Sequence, residues 1–107
     1  MYARIIKLTF MNDFSKEAAS SLLVELGKTK GFAAGMLFRL SVDISTTQRY
    51  SMTIWPHKTS EENSWKLFGE EVLKKLKETG ARVEISIGPI NEMQISKDID
   101  LSNFHAN

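Results

Sequence analysis

The order in which hydropathy periods follow one another constrains this chain more than any single motif. Period-two alternation, an amphipathic helical stripe, two adjacent alternating stretches, a second helical stripe and a last alternating stretch succeed each other from residue 2 to residue 87. The two adjacent stretches, Phe32–Val42 and Thr47–Trp55, sit mid-chain with a helix pattern on each side. Strand–helix–strand–strand–helix–strand specifies a split βαβ sandwich, in which two helices cover one face of a four-stranded antiparallel sheet. That architecture hosts many chemistries, so the site has to be argued separately.

The first strand is read over Tyr2–Phe10, with Tyr2, Ile6, Leu8 and Phe10 on one face together with Arg4. Asn12-Asp13 supplies a turn and a helix N-cap. Phe14, Ala18, Leu22 and Leu26, widened by Ala19 and Leu23, form the stripe of the first helix, and Gly31 is its stop. Phe32–Asp43 and Thr47–Trp55 make a hairpin, ended by Pro56, which lacks a ladder donor. Thr59 and Glu62 have the spacing of a capping box and open a second helix with Trp65, Phe68, Val72, Leu73 and Leu76 buried and Gly80 just past its end. Arg82–Ile87 is the last main strand. Residues 1–95 are expected to form the domain. Residues 96–107 form a tail, apolar at Ile99, Leu101 and Phe104, that suits an arm across a partner; Met93 and Ile95 allow a short extra strand.

A length of 107 residues fits one domain with a modest core. A net charge of +1 gives no electrostatic reason for a nucleic-acid partner. With no cysteine, disulfides and thiolate chemistry are excluded, and His57 and His105 are too far apart in sequence to suggest a metal site. No stretch approaches the run of about 18 apolar residues that a membrane span needs. The expectation is a cytoplasmic protein with neither membrane nor metal.

The face assigned to the helices carries Ile6, Leu8, Phe10, Met36, Phe38, Leu40, Tyr50, Met52, Ile54, Val83, Ile85 and Ile87. The opposite face still holds Ile5, Leu37 and Trp55, which an open monomeric sheet would leave in water, so a homodimer through that face is expected. Arg39, Arg49 and Arg82 fall on the same opposite face, with Asp43 and Glu84 as partners for ion pairs, or as an anion site.

Gly31-Phe32-x-x-Gly35 entering the second strand, Trp55 closing the third and Ser64-Trp65 in the second helix resemble the antibiotic-biosynthesis-monooxygenase-like domains of the dimeric α/β-barrel superfamily. The likeness spans Tyr2 to Ile95. It implies an α+β, ferredoxin-like protomer and a sheet-to-sheet homodimer. Some members oxidise aromatic polyketides with dioxygen and no cofactor; another branch degrades heme. The heme branch's histidine is missing from Val72-Leu73-Lys74-Lys75-Leu76, and its first-strand asparagine is replaced within Arg4-Ile5-Ile6-Lys7. No cofactor is therefore expected. Tyr50 and Arg82 are candidates for the tyrosine and arginine of the polyketide-oxidising branch.

The candidate catalytic residues are His57, suited to proton transfer near neutral pH, with Trp65 and Asn63. Tyr50, Met52, Phe68, Gly69 and Arg82 are the candidate substrate-binding residues, and Met52, Trp65 and Phe68 are the expected pocket walls. Each has a plainer reading. Trp65 serves equally as a core anchor, Trp55 as a packing residue and His57 as a solvated loop residue. Gly69, costly inside a helix, implies either close packing against the sheet or room for a ligand. The functional expectation is a cofactor-independent monooxygenase-like protein acting on a small aromatic or quinol-type molecule. The alternative is a non-catalytic dimeric barrel that binds a small organic ligand or a protein. An RNA-recognition module shares the strand order, but Gln48–Ile54 lacks the stacking residues that it needs.

Overall fold

The computed structural model describes residues 1–99. Strand β1 (Tyr2–Thr9) leads to helix α1 (Asp13–Leu26), which continues into a π-helical turn, Gly27–Gly31. Strands β2 (Phe38–Asp43) and β3 (Gln48–Trp55) form the hairpin. Helix α2 (Lys58–Ser64), a second π-helical turn (Trp65–Gly69) and helix α3 (Glu70–Glu78) follow, and β4 (Arg82–Pro89) closes the sheet. Every paired neighbour is antiparallel, in the order β2-β3-β1-β4. The split βαβ, α+β reading therefore holds, with β1 and β3 central.

Local chemistry accounts for the element ends. The Asn12 side chain accepts a 2.8 Å bond from the Ser15 amide and caps α1, as the sequence implies. Gly80, at φ +88°, ends the second helical stretch in the left-handed region. The first helical stretch ends later than expected. Gly35 at φ +102°, with bonds from its own amide to the Phe32 carbonyl and from the Met36 amide to the Gly31 carbonyl, makes residues 32–35 a helix exit, not strand. Strand β2 is correspondingly short. Helix α2 begins at Lys58, capped by extended His57 without a side-chain bond, so Thr59 lies inside the helix and the capping box does not form. Glu62 pairs instead with Lys58 on the surface. The α1 stripe is rotated by one position. Ser15, Ala19 and Leu23 are buried, whereas Phe14 is 81% exposed.

The core joins Ile6, Leu8 and Phe10 to Ala19 and Leu23 of α1, Val72 and Leu76 of α3, and Ala81. Around the hairpin the sheet is turned over relative to expectation. Register places Arg39, Thr53 and Arg4 in one row, then Ser41, Ser51 and Ile6, then Asp43, Arg49 and Leu8. Because Arg4 bonds to α2 and Arg49 to α1, these rows face the helices. Trp55 shares that side and is 1% exposed. Phe38 with Ile54, Leu40 with Met52 and Ile5, and Val42 with Tyr50 lie on the open face. The β4 part of that face is polar: Ser86 stands beside Ile5 and Glu84 beside Lys7. Leu37 is exposed ahead of β2. The inversion has a simple cause: periodicity identifies which residues share a face but not which face meets the helices. Here the greasier set lies outward.

After β4 the Ile90 amide bonds to the Met1 carbonyl, and residues 91–99 carry no strand and are exposed. Leu101, Phe104 and His105 lie outside the described residues. Among the described residues no helix is long and apolar enough to cross a membrane, and no cluster of potential metal ligands occurs.

Candidate active site between sheet and helices

The polar rows under the helices border a cavity of about 60 Å³, partly open to solvent. Arg4, Arg39, Ser51 and Thr53 form its polar floor. Leu23, Leu26 and Met36, with Trp65 and Val72, supply apolar walls. A larger depression along Glu70, Leu73, Lys74, Lys77 and Glu78 is an open surface formed by one face of α3 and brings together no groups from other elements.

Arg4 is fixed from several directions. Its Nε donates to Glu61 Oε1 at 2.8 Å, and Nη2 donates to the same carboxylate oxygen, to the Glu61 carbonyl at 3.2 Å and to Ser64 Oγ at 3.3 Å. Both charges are buried. The guanidinium carbon stands 4.5 Å from the centre of the Trp65 ring and 5.7 Å from that of Trp55, a cation–π arrangement. Burial pulls the Arg4 pKa down, opposed by its bond to Glu61 and by that carboxylate's charge. Behind the indole lies Gly69. A Cβ there would stand 2.6 Å from Trp65 Cε2 and Cε3. Of the two readings of this glycine, the first is closer to the structure, with the indole, not the sheet, as the neighbour that needs the space. The indole is laid across the π-helical turn, a geometry often found at functional sites.

Arg49 is likewise occupied: Nε donates to Asp43 Oδ1 at 2.6 Å, and Nη1 bonds to Ser20 Oγ. The Arg49 bond is the main reason that Asp43 titrates below the ordinary carboxylate range. Arg39 differs. Among the described residues it has no carboxylate partner, and its one side-chain bond is to Ser41 Oγ at 3.2 Å. Burial lowers its pKa, and the like charge of Arg49 acts in the same direction. Thr53 Oγ1 accepts the Trp55 indole N–H at 3.0 Å, leaving its own hydroxyl proton available.

Of the residues singled out from the sequence, Trp65 lines the cavity and Gly69 supports it from behind. Phe68 packs against the core. Tyr50 and Met52 are on the open sheet face, so Met52 is not a cavity wall, and Arg82 is exposed at the polar end of that face. His57 and Asn63 are exposed on α2 and its cap, away from the lining. The Asp43 partnership of Arg49 is as expected, but it lies under α1, not on the open face. The sequence reading missed Arg4, Glu61, Arg39, Ser51 and Thr53 as a group. The alternation Arg49-Ser51-Thr53 contained the signal, since hydroxyls and guanidinia recurring on one strand face are costly to bury without a role.

No family model and no curated protein sequence matches this chain. Solved structures do. A provisionally assigned antibiotic biosynthesis monooxygenase from Deinococcus radiodurans superposes with a TM-score of 0.74 at 17% identity, covering 90% of this chain and 98% of that one. A dimeric ferredoxin-like protein from an uncultured marine organism gives 0.66 at 12% identity, over 90% and 100% of the two chains. An Asn-to-Ala variant of SnoaB, a cofactor-independent oxygenase from Streptomyces nogalater, gives 0.65 at 7% identity, over 86% and 95%. The fold is thus the α+β, ferredoxin-like one that these structures share. At these identities the likeness concerns the fold alone.

Proposed function

We propose that this chain is a cofactor-independent monooxygenase-like protein that oxidises a small aromatic or quinol-type molecule in the cavity beside Trp65. The observation that carries the reading is the cavity itself: a polar floor of strand residues under apolar walls, with an indole held in place by Arg4 and Gly69. Indole and aliphatic walls suit a flat ring. In an activated methylene compound, loss of a proton gives an electron-rich carbanion that can reduce dioxygen directly. Overall, CH2 and O2 become C=O and H2O, with one oxygen atom retained and the other leaving as water. Exclusion of water and fixed orientation are what the protein supplies.

A homodimer through the open sheet face belongs to the same proposal. Phe38, Leu40, Val42, Tyr50 and Met52 make half of that face apolar, and Phe38 and Val42 are 43% and 47% exposed. A patch of this kind marks an interface. Replacing Leu40 with Asp is expected to convert the dimer to monomer in analytical ultracentrifugation; a wild-type monomer at all concentrations would remove this part of the proposal.

A specific observation keeps the binding-only alternative in view. Among the described residues neither histidine, tyrosine nor a carboxylate lines the cavity, so no described side chain there serves as the proton acceptor. Oxygen-electrode assays with anthrone- and quinol-type compounds separate the two readings. Uptake above uncatalysed autoxidation, lost in Trp65→Ala, supports the oxygenase. Saturable binding without oxygen consumption supports a carrier.

A further inference from the structure

We infer that the ligand of this cavity carries an oxyanion, a carboxylate or an ionised phenol on a flat ring, and that Arg39 is the residue that reads it. The inference rests on the proposed function only in taking this cavity as the substrate site.

Three guanidinia lie on the helix-facing side of β1–β3, and two are already neutralised. Arg4 is spent on Glu61 and Arg49 on Asp43. Among the described residues Arg39 has only the Ser41 hydroxyl. It sits on the edge strand, in one row with Thr53 and Arg4, so Arg39 and Arg4 flank Thr53 across roughly 10 Å, or two strand spacings. The hydroxyls of Ser51 and Thr53 complete a floor rich in donors, and among the described residues no carboxylate lines it to compete. Hydrogen-bond donors without a matching acceptor, one of them charged, define a place for an anion, because charge-assisted bonds to a guanidinium are among the strongest available. Arg39 is half-buried, and a partly desolvated guanidinium gains from a negative charge that approaches it.

The walls say what else the ligand has. Gly27 and Gly31 present backbone alone to the cavity; at Gly31 the space a side chain would fill is taken by the end of Met36, and at Gly27 the stem of Arg39 passes at contact distance. A Cβ at Gly27 would lie 3.4 Å from Arg39 Cδ, and one at Gly31 would lie 2.9 Å from Met36 Cε. At about 60 Å³ the cavity holds a few waters, so a six-membered ring enters when Met36, an unbranched and adaptable side chain, swings aside. The ring then lies among Leu23, Leu26 and Trp65, with its oxyanion toward Arg39.

The test is binding, read by quenching of tryptophan fluorescence and by calorimetry, with benzoate, its uncharged analogue benzyl alcohol, and 4-nitrophenol. Benzoate is expected to bind roughly tenfold to hundredfold more tightly than benzyl alcohol, with the advantage shrinking as salt is raised. In Arg39→Gln the preference is expected to disappear while benzyl alcohol binding persists. Arg39→Lys, which keeps the charge but loses the fork, should retain part of it, and covers the case in which the glutamine variant does not fold. Lys74→Gln, on the exposed side of α3 and away from the cavity lining, should change nothing. The 4-nitrophenol arm separates the sources: growth of its phenolate absorption on binding below its free pKa identifies an ionised phenol as a ligand, and benzoate affinity alone identifies a carboxylate. Equal binding of benzoate and benzyl alcohol, an undiminished preference in Arg39→Gln, or no saturable binding of any probe would overturn the inference. Absence of oxygen uptake alongside an Arg39-dependent anion preference would sink only the oxygenase; uptake without that preference would sink only this inference.

Discussion

Replacing Gly69 with alanine sets two effects of opposite sign against each other. Helix propensity alone favours alanine by about 1 kcal/mol at an interior position. Geometry opposes it. The added methyl would overlap the Trp65 indole, standing 2.6 Å from two ring carbons and nearer still to a third. Forcing bulk into a filled space costs about 1–3 kcal/mol. Moving the ring also weakens its stacking on Arg4, at 4.5 Å from the ring centre, which is worth about 0.5–2 kcal/mol. The balance is a loss of about 0.5–4 kcal/mol, despite the better helix former. Urea denaturation followed by tryptophan fluorescence measures it, with a Trp55→Phe background isolating the Trp65 signal. The variant should unfold at lower urea and emit at longer wavelength when folded. Equal or greater stability with an unchanged spectrum would refute the claim that this glycine exists to seat the indole.

Glu61→Ala leaves Arg4 buried without its counter-charge and should cost about 3–5 kcal/mol by thermal or chemical denaturation; Arg4→Met combined with Glu61→Leu should cost less than the sum of the two single changes. Ser15→Ala should be neutral or stabilising, because the Ser15 hydroxyl is buried with no partner among the described residues. Asp43 and Glu71 are held below the ordinary carboxylate range, chiefly by bonds from Arg49 and Lys75. A depressed folded-state pKa gives stability that is present above the unfolded values, near 3.9 and 4.3, and lost as pH falls through the folded ones. NMR titration should therefore give midpoints below those values for both; midpoints at or above them would contradict the pairing.

The strand order and helix positions were legible because each rests on a local period, and the Asn12 cap and Gly80 stop on local chemistry. The orientation of the hairpin was not. Tyr50, Met52 and Ile54 are the apolar set of β3, and the ordinary rule that the greasier face is covered places them in the core. That rule presumes one covered face. With helices over one side and an apolar patch on the other, hydropathy ranks the faces in the wrong order, and Ser51, Thr53 and Trp55 turn inward. The same error hid the site, since Arg39 and Thr53 become cavity residues only when the face is reversed. Glu61 shows a different limit. A glutamate in the first turn of a helix looks like a surface residue until the partner for its charge, Arg4 on a strand 57 positions earlier, is known. Periodicity carries no information about pairs so distant.

That long separation has a consequence for how the molecule is made. Strand β1 is an inner one, and its two neighbours are drawn from residues 48–55 and 82–89, both synthesised after it. Until the later of these has been synthesised, the strand has an open flank, and until Glu61 emerges Arg4 has no counter-ion. A nascent chain cut short of β4 therefore has no stable stopping point for this sheet: its assembly waits for residues 82–89.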